Sequence, residues 1–307
     1  MTKDLTNTLT TPVVKKKKKI KFSLFDIFNH IFLVVLALVC VFPILYELML
    51  SFASKADYLN SNLLVIPKHF NFESYKLIFG QGRILRAFGI SVLITVGGTL
   101  YSMILTCFGA YVFTRKNVPG MKILFTIVIF TMFFGGGIIP FYLTVKDVIG
   151  INNLWCLVLP FGINSFNLII MRNFFNQVPY ELIESAKLDG ASEFRILFQI
   201  VIPLSKAGLA TIVLWYVISY WDAWYWASFF LSKRTDLYPI ALELRNLLQG
   251  FDGSNPVDPN AGVDGTMLFA QGQQAATIIV SVFPILVFYP FLQKYFVKGQ
   301  MLGAVKG

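Results

Sequence analysis

Residues 87–114, AFGISVLITVGGTLYSMILTCFGAYVFT, run for 28 positions without an Asp, Glu, Lys or Arg. A helix rises 1.5 Å per residue, so crossing a hydrocarbon core about 30 Å thick takes about 20 predominantly apolar residues. This stretch is long enough. Working outward from it, five further charge-free runs emerge at 27–46, 123–145, 148–171, 207–221 continuing past Asp222 to 232, and 265–293. Apolar and polar residues do not alternate with period two in any of them, which argues against a membrane β-barrel. The expectation is an all-α membrane protein with six transmembrane helices.

Composition leads to the same class. The chain of 307 residues is 56% hydrophobic and only 14% charged, with a mean hydropathy of +0.67. Soluble domains carry about 25% charged residues, and a chain well below that cannot cover a water-facing surface. High hydrophobicity also excludes intrinsic disorder. Cys40, Cys107 and Cys156 each sit within an apolar run, the setting of packing residues rather than of a disulfide framework or metal cage. No metal site is expected.

The net charge of +10 is unevenly placed. KKKKKIK at 15–21 stands directly before the first apolar run, where a basic block reads as a membrane-surface anchor rather than a nucleic-acid contact. A cleaved signal peptide is the competing reading of the first run, but the run is too long and no small-residue cleavage site follows it. Across six spans, 17 of the 26 Lys and Arg residues fall on one side and nine on the other. The positive-inside rule then puts both termini in the cytoplasm. Lys146, Asp147, Gly150, Asn152 and Asn153 mark a turn between the third and fourth runs, Pro160 with Gly162 predicts a kink in the fourth, and 233–264 reads as turns rather than a folded domain.

Between the fourth and fifth runs lies RNFFNQVPYELIESAKLDGASEFRILFQIVIPLSK, residues 172–206. Pro179 is suited to open a helix, Gly190 to end it in the left-handed conformation, and Ser192 to cap a second helix that Pro203 terminates. An interfacial amphipathic helix would carry the same caps. The order Glu184, Ser185, Ala186, Asp189, Gly190, Ala191, followed by Ile200, Val201, Ile202, Pro203 and Leu204, resembles the "EAA" signature of permease subunits in ATP-binding-cassette importers. Ser185 stands in place of the usual second alanine, and Lys206 where proline is frequent. FFGGGIIPFYL at 133–143, LVLPFGINSFNLIIMRNFF at 157–175 and YPFLQKYFVKGQMLGAVKG at 289–307 are similar to the maltose-type carbohydrate permeases, in the branch that handles complex oligosaccharides.

This resemblance implies that Glu184, Ser185, Ala186, Asp189, Gly190 and Ala191 form a coupling helix on the cytoplasmic side that docks on an ATPase. It implies a second, non-identical permease chain, two ATP-binding-cassette ATPase subunits, an extracytoplasmic sugar-binding protein and an oligosaccharide substrate, in a bacterial cell membrane that the chain crosses several times. The organisation expected is a basic cytoplasmic tail at 1–23, a first transmembrane helix at 24–52, an outer loop at 53–86, a permease core at 87–296 containing the coupling segment 172–206 and the outer loop 233–264, and a cytoplasmic tail at 297–307. ATP and Mg belong to the partner ATPase; this chain is expected to bind no cofactor and no nucleic acid.

Four of five tryptophans lie in LWYVISYWDAWYWASFF at 214–230. An interfacial aromatic belt explains them, and so does a sugar path in which aromatic faces stack on the ring while a carboxylate accepts hydroxyl protons. Trp221, Asp222, Trp224 and Tyr225 are the candidates for such a path; Trp221, Trp224 and Tyr225 would share one face of an unbroken helix. Glu47 reads as interfacial. Gly135, Gly136, Gly137 and Pro140 interrupt the third run, either as a pathway wall or as a helix end. Gly250, Asp252, Gly253, Pro256 and Pro259 in the last outer loop match, by family resemblance, a loop that enters the binding protein's cleft and releases its sugar; a plain connector has the same composition.

No phosphate-cradling G-x-x-x-x-G-K-[S/T] occurs, and His30 and His69 have no companions for a metal or nucleophile site. The chain is therefore expected not to be an enzyme. An ion-coupled secondary transporter or channel is the alternative; it would want charged pairs near mid-bilayer, and the runs contain none.

Overall fold

The computed structural model describes residues 24–61, 66–80, 82–115, 118–250 and 270–304, and every regular element among them is helical. The chain divides after Leu45 into two units. The first is the N-terminal part of α1 (Leu24–Ser51). From Leu24 to Leu45 every side chain except Asp26 is exposed. A helix apolar on all faces is stable against lipid, not against water.

The second unit holds the end of α1 and thirteen further α-helices among the described residues. In order they are α2 (Lys55–Leu59), α3 (Glu73–Gly80), α4 (Arg83–Val112), α5 (Met121–Phe133), α6 (Ile138–Val148), α7 (Ser165–Phe175), α8 (Tyr180–Leu188), α9 (Glu193–Ile196), α10 (Ile202–Leu204), α11 (Lys206–Trp221), α12 (Trp224–Phe230), α13 (Ile240–Gly250) and α14 (Ala270–Ala304). A π-helical turn at Leu197–Val201 joins α9 to α10.

The long helix α4 is the axis of this unit, with α7, α11 and α13 packed on it and α14 on α11. Its buried face carries Ser91, Ile94, Thr95, Gly98, Thr99, Ser102 and Thr106. Apolar side chains gain nothing by leaving lipid for protein, so membrane helices associate through close backbone approach and interhelical hydrogen bonds. Both occur here. A Cβ on Gly98 would lie 2.7 Å from the Tyr220 ring, and the Tyr220 hydroxyl lies 2.8 Å from Ser102 Oγ.

Among the described residues three helical stretches are long and apolar enough to cross a membrane: Leu24–Ser51, Arg83–Val112 and Gln271–Phe288. The third and fourth expected spans are bent pairs, and a further bent pair joins Glu193–Leu204 to α11. The run 123–145 is not one straight span, because the chain bends by 117° between α5 and α6. The 13 residues of α5 reach only about 20 Å, less than the hydrocarbon thickness. The break falls at Gly135–Gly137, where the chain has no Cβ to hold a helical course, and Pro140 is tolerated in the first turn of α6. Lys146 and Asp147, expected in a turn, lie within α6 instead. The turn follows at Gly150–Asn153, where Asn152 has φ +63° and donates its N–H to Phe230 O at 2.7 Å.

The fourth run bends by 47° between Leu154–Phe161 and Ser165–Phe175, at the Pro160 and Gly162 region expected to kink. The fifth is not continuous through Asp222: α11 ends at Trp221, Asp222 is its C-cap, and α12 begins at Trp224. The stretch 53–86, expected as an outer loop, contains α2, α3 and the start of α4. In 233–264, expected to hold turns only, Ile240–Gly250 form α13. Ile240, Leu244 and Leu247 recur there at helical spacing, and the helix is pinned to α4 by the Ile240 N–H donating to Ser91 Oγ at 2.8 Å and by Arg83 paired with buried Glu243.

Candidate coupling segment and substrate path

The segment 172–206 begins at Arg172, which donates from Nε to Phe113 O at 2.9 Å with its guanidinium 4.1 Å from the Phe125 ring centroid. Pro179 occupies the cap position immediately before α8, one residue earlier than the first helical position expected. α8 buries one side chain, Ile183, leaving Tyr180, Leu182, Glu184, Ser185 and Leu188 exposed. Its end is closed by a Schellman pattern: the Gly190 N–H donates to Lys187 O at 3.0 Å and the Ala191 N–H to Ala186 O at 2.9 Å. Gly190 has φ +79°, a conformation that glycine adopts without a Cβ clash. Ala186 and Ala191 are half-buried against the core. Ser192 Oγ then accepts the Arg195 N–H at 3.3 Å and caps α9. The chain ends this segment at Leu204, one residue beyond Pro203, and Glu193–Leu204 meets α11 at 86°.

Glu193 ties these elements together. Its Oε2 accepts from the Tyr111 hydroxyl at 2.6 Å and from Arg115 Nη2 at 2.6 Å, while Oε1 lies 2.6 Å from Lys187 Nζ. Arg115 also donates to the Tyr111 hydroxyl, with its guanidinium 4.3 Å from that ring's centroid. Burial pushes the Glu193 carboxyl up, but the hydrogen bonds from Lys187 and Tyr111 and the charge of Arg115 outweigh it and hold the carboxyl below its ordinary range. A cavity of about 490 Å³ beside the network is lined by Arg115, Phe175, Tyr180, Ile183 and Lys187 among others. Glu193 was not among the sequence-based candidates; its partners Tyr111 and Arg115 are too distant along the chain to be read from spacing.

A second cavity, of about 360 Å³, opens between α7 and α11. Asn164, Phe166, Asn167, Trp215, Tyr216, Ser219 and Tyr220 line it, with the Phe166 and Trp215 rings 5.2 Å apart. This cavity combines aromatic faces with amide and hydroxyl groups, the surfaces that bind sugars. It was not among the sequence-based candidates. The legible signals were two asparagines three residues apart in an apolar run, and Trp215 with Ser219 one helical turn apart.

The candidates Trp221, Asp222, Trp224 and Tyr225 do not share a helical face, because the helix breaks between Trp221 and Trp224. Trp221 is buried, donates from Nε1 to Ser281 O at 3.0 Å and packs edge-on to Phe88. Asp222 is exposed at the break. Trp224 lies beneath the Arg245 guanidinium, 3.9 Å from the ring centroid, and Tyr225 sits edge-on to Trp224 and Trp226. Of the expected release-loop residues, Gly250 is the last of α13; Asp252, Gly253, Pro256 and Pro259 lie outside the described residues.

Comparison with known proteins adds four matches. The family described as "Binding-protein-dependent transport system inner membrane component" matches residues 13–301. The polygalacturonan/rhamnogalacturonan transport system permease protein YtcP of Bacillus subtilis (strain 168) is 39% identical over 94% of this chain and 100% of its own length. Protein LplC of the same organism is 38% identical over 92% of this chain and 95% of its own length. Among solved structures, a chain of a bacterial ABC transporter involved in the import of the acidic polysaccharide alginate superposes with a TM-score of 0.81 at 30% identity, covering 90% of this chain and 99% of that one. An ion-coupled secondary transporter or channel is not favoured by these matches. With its helical, apolar architecture and a match along nearly its whole length, the chain belongs to the family of membrane-embedded components of binding-protein-dependent transport systems.

Proposed function

We propose that this chain is a permease subunit of an ATP-driven importer for acidic oligosaccharides, and that it forms half of the translocation path together with a second, non-identical permease. In this reading the bent third and fourth runs, and α11 with α12 as the fifth, complete six spans, both termini and the segment 172–206 face the cytoplasm, and the membrane is the bacterial cell membrane. Glu184, Ser185, Ala186, Asp189, Gly190 and Ala191 dock on one of two ATPase subunits, which bind the ATP and Mg. The observation that carries the reading is α8: a helix with a single buried side chain and a tightly closed end, exposing Glu184 where a basic partner can reach it. Sugar passes along the cavity between α7 and α11, with Trp224, Tyr225 and Asp222 nearer the outer mouth, and the loop containing Asp252, Gly253, Pro256 and Pro259 helps the binding protein release it.

The acidic class is supported by two similar proteins, one named for polygalacturonan/rhamnogalacturonan transport and one involved in the import of the acidic polysaccharide alginate. It is also supported by the exposed Arg245 guanidinium, which lies on an aromatic face and offers a carboxylate partner beside a stacking surface. The test is binding-protein-dependent ATP hydrolysis by the purified complex in nanodiscs, screened with oligogalacturonides and with neutral oligosaccharides of equal length. Stimulation by the charged series is expected. Stimulation by the neutral series alone rejects the acidic class, and a complex that forms without an ATPase rejects the importer reading.

A further inference from the structure

The coupling helix α8 is attached to the rest of the chain by few groups. Only Ile183 on it is buried, and the half-buried Ala186 and Ala191 add little area. Its remaining fixed connection is Lys187 Nζ, 2.6 Å from Glu193 Oε1. The other carboxylate oxygen of Glu193 is held by the Tyr111 hydroxyl and Arg115 Nη2, each at 2.6 Å, at and just beyond the end of α4. The Phe194 and Phe198 rings pack edge-on against Phe108 of α4, with centroids 6.0 and 6.1 Å away. One carboxylate therefore bridges the coupling helix on one side and the central helix of the unit on the other. Glu193 and Lys187 are half-exposed, so solvent weakens each bond, but with donors on both carboxylate oxygens a movement of either donor set still breaks charge-assisted hydrogen bonds.

We infer that Glu193 is a positioning residue that locks α8 to the cytoplasmic end of α4, so that a displacement imposed on α8 is transmitted to the spans and not absorbed between them. This rests on the reading of α8 as the ATPase-docking helix. With the lock intact, closure of the ATPase pair requires the membrane helices to rearrange, and their resistance restrains hydrolysis when no binding protein is present. With the lock cut, the ATPase cycles without moving the spans.

The test uses the assembled importer, copurified through its ATPase in nanodiscs, and measures ATP hydrolysis per complex with neither binding protein nor sugar present. Glu193→Gln keeps the side-chain shape while removing its charge, and Lys187→Gln cuts only the arm to α8 at a half-exposed position. Both are expected to raise this hydrolysis roughly 5-fold or more, the lower end of typical coupling effects. Arg234→Gln, which cuts the exposed Arg234–Asp236 pair, is expected to match the unsubstituted complex. Unchanged hydrolysis per complex in both lock variants, even with a reduced yield of complex, shows a merely structural role and overturns the inference. A rise shared by Arg234→Gln shows general loosening and also overturns it. If the ATPase does not copurify with the unsubstituted chain, the docking reading itself fails and the lock falls with it. No arm requires the sugar to be known.

Discussion

The hydroxyl of Tyr216 on α11 lies 2.7 Å from Thr106 Oγ1 on α4, buried from both sides. The same hydroxyl accepts the backbone N–H of Asn164, at the start of α7, at 3.2 Å, so one phenol joins three helices of the core. The Tyr216–Thr106 contact is buried between the helices, and a buried polar group left unpaired costs about 1–3 kcal/mol.

Tyr216→Phe is accordingly expected to destabilise the detergent-solubilised chain by about 1–3 kcal/mol, read as a lower thermal unfolding midpoint. Adding Thr106→Val removes the stranded hydroxyl, so the double variant is expected to lose less than the sum of the two single losses. Strict additivity in that cycle would show that the two hydroxyls do not interact.

The two aromatic regions separate by what each substitution damages. Trp221→Ala removes a buried ring and its bond to Ser281, so a stability loss of about 3–5 kcal/mol and poor assembly are expected. Trp215→Ala and Asn167→Ala, in the cavity between α7 and α11, are expected to lower uptake while leaving the complex assembled. Normal uptake by both would remove that cavity from the proposed path.

Gly190→Val places a β-branched residue at φ +79°, a strain of about 1–2 kcal/mol, at the closed end of α8, the proposed docking helix. Combined with Glu184→Lys, it is expected to abolish binding-protein-stimulated hydrolysis while the binding protein still holds sugar normally. Stimulation at the unsubstituted level in this double variant would take the coupling role away from α8.

The Glu193 carboxyl supplies a pH test. Its pKa in the folded chain is depressed by Lys187, Tyr111 and Arg115 acting against burial. A depressed carboxyl contributes stability that is fully present above its unfolded value, about 4.3, and is lost as pH falls through the lower folded value. The unfolding-midpoint difference between the unsubstituted chain and Glu193→Gln is therefore expected to hold at pH 7, to shrink as pH falls below the unfolded value, and to vanish only below the lower folded value. A difference that grows as pH falls contradicts the assigned sign.

Much of the architecture was legible along the chain. Span positions depend on the length of charge-free runs, and the closure of α8 and the start of α9 depend on Gly190 and Ser192 acting within a few residues; both are local properties. The tertiary structure decided the rest. It broke the fifth run at Asp222, bent the third through 117°, and turned Trp221 into the core while leaving Trp215 beside a cavity. A helix apolar on every side carries no periodic signal to distinguish its lipid, core and path faces. Glu193 acquires its role only when Tyr111 and Arg115, 82 and 78 residues earlier, are folded against it, and contacts over that separation exist in space and not in sequence spacing.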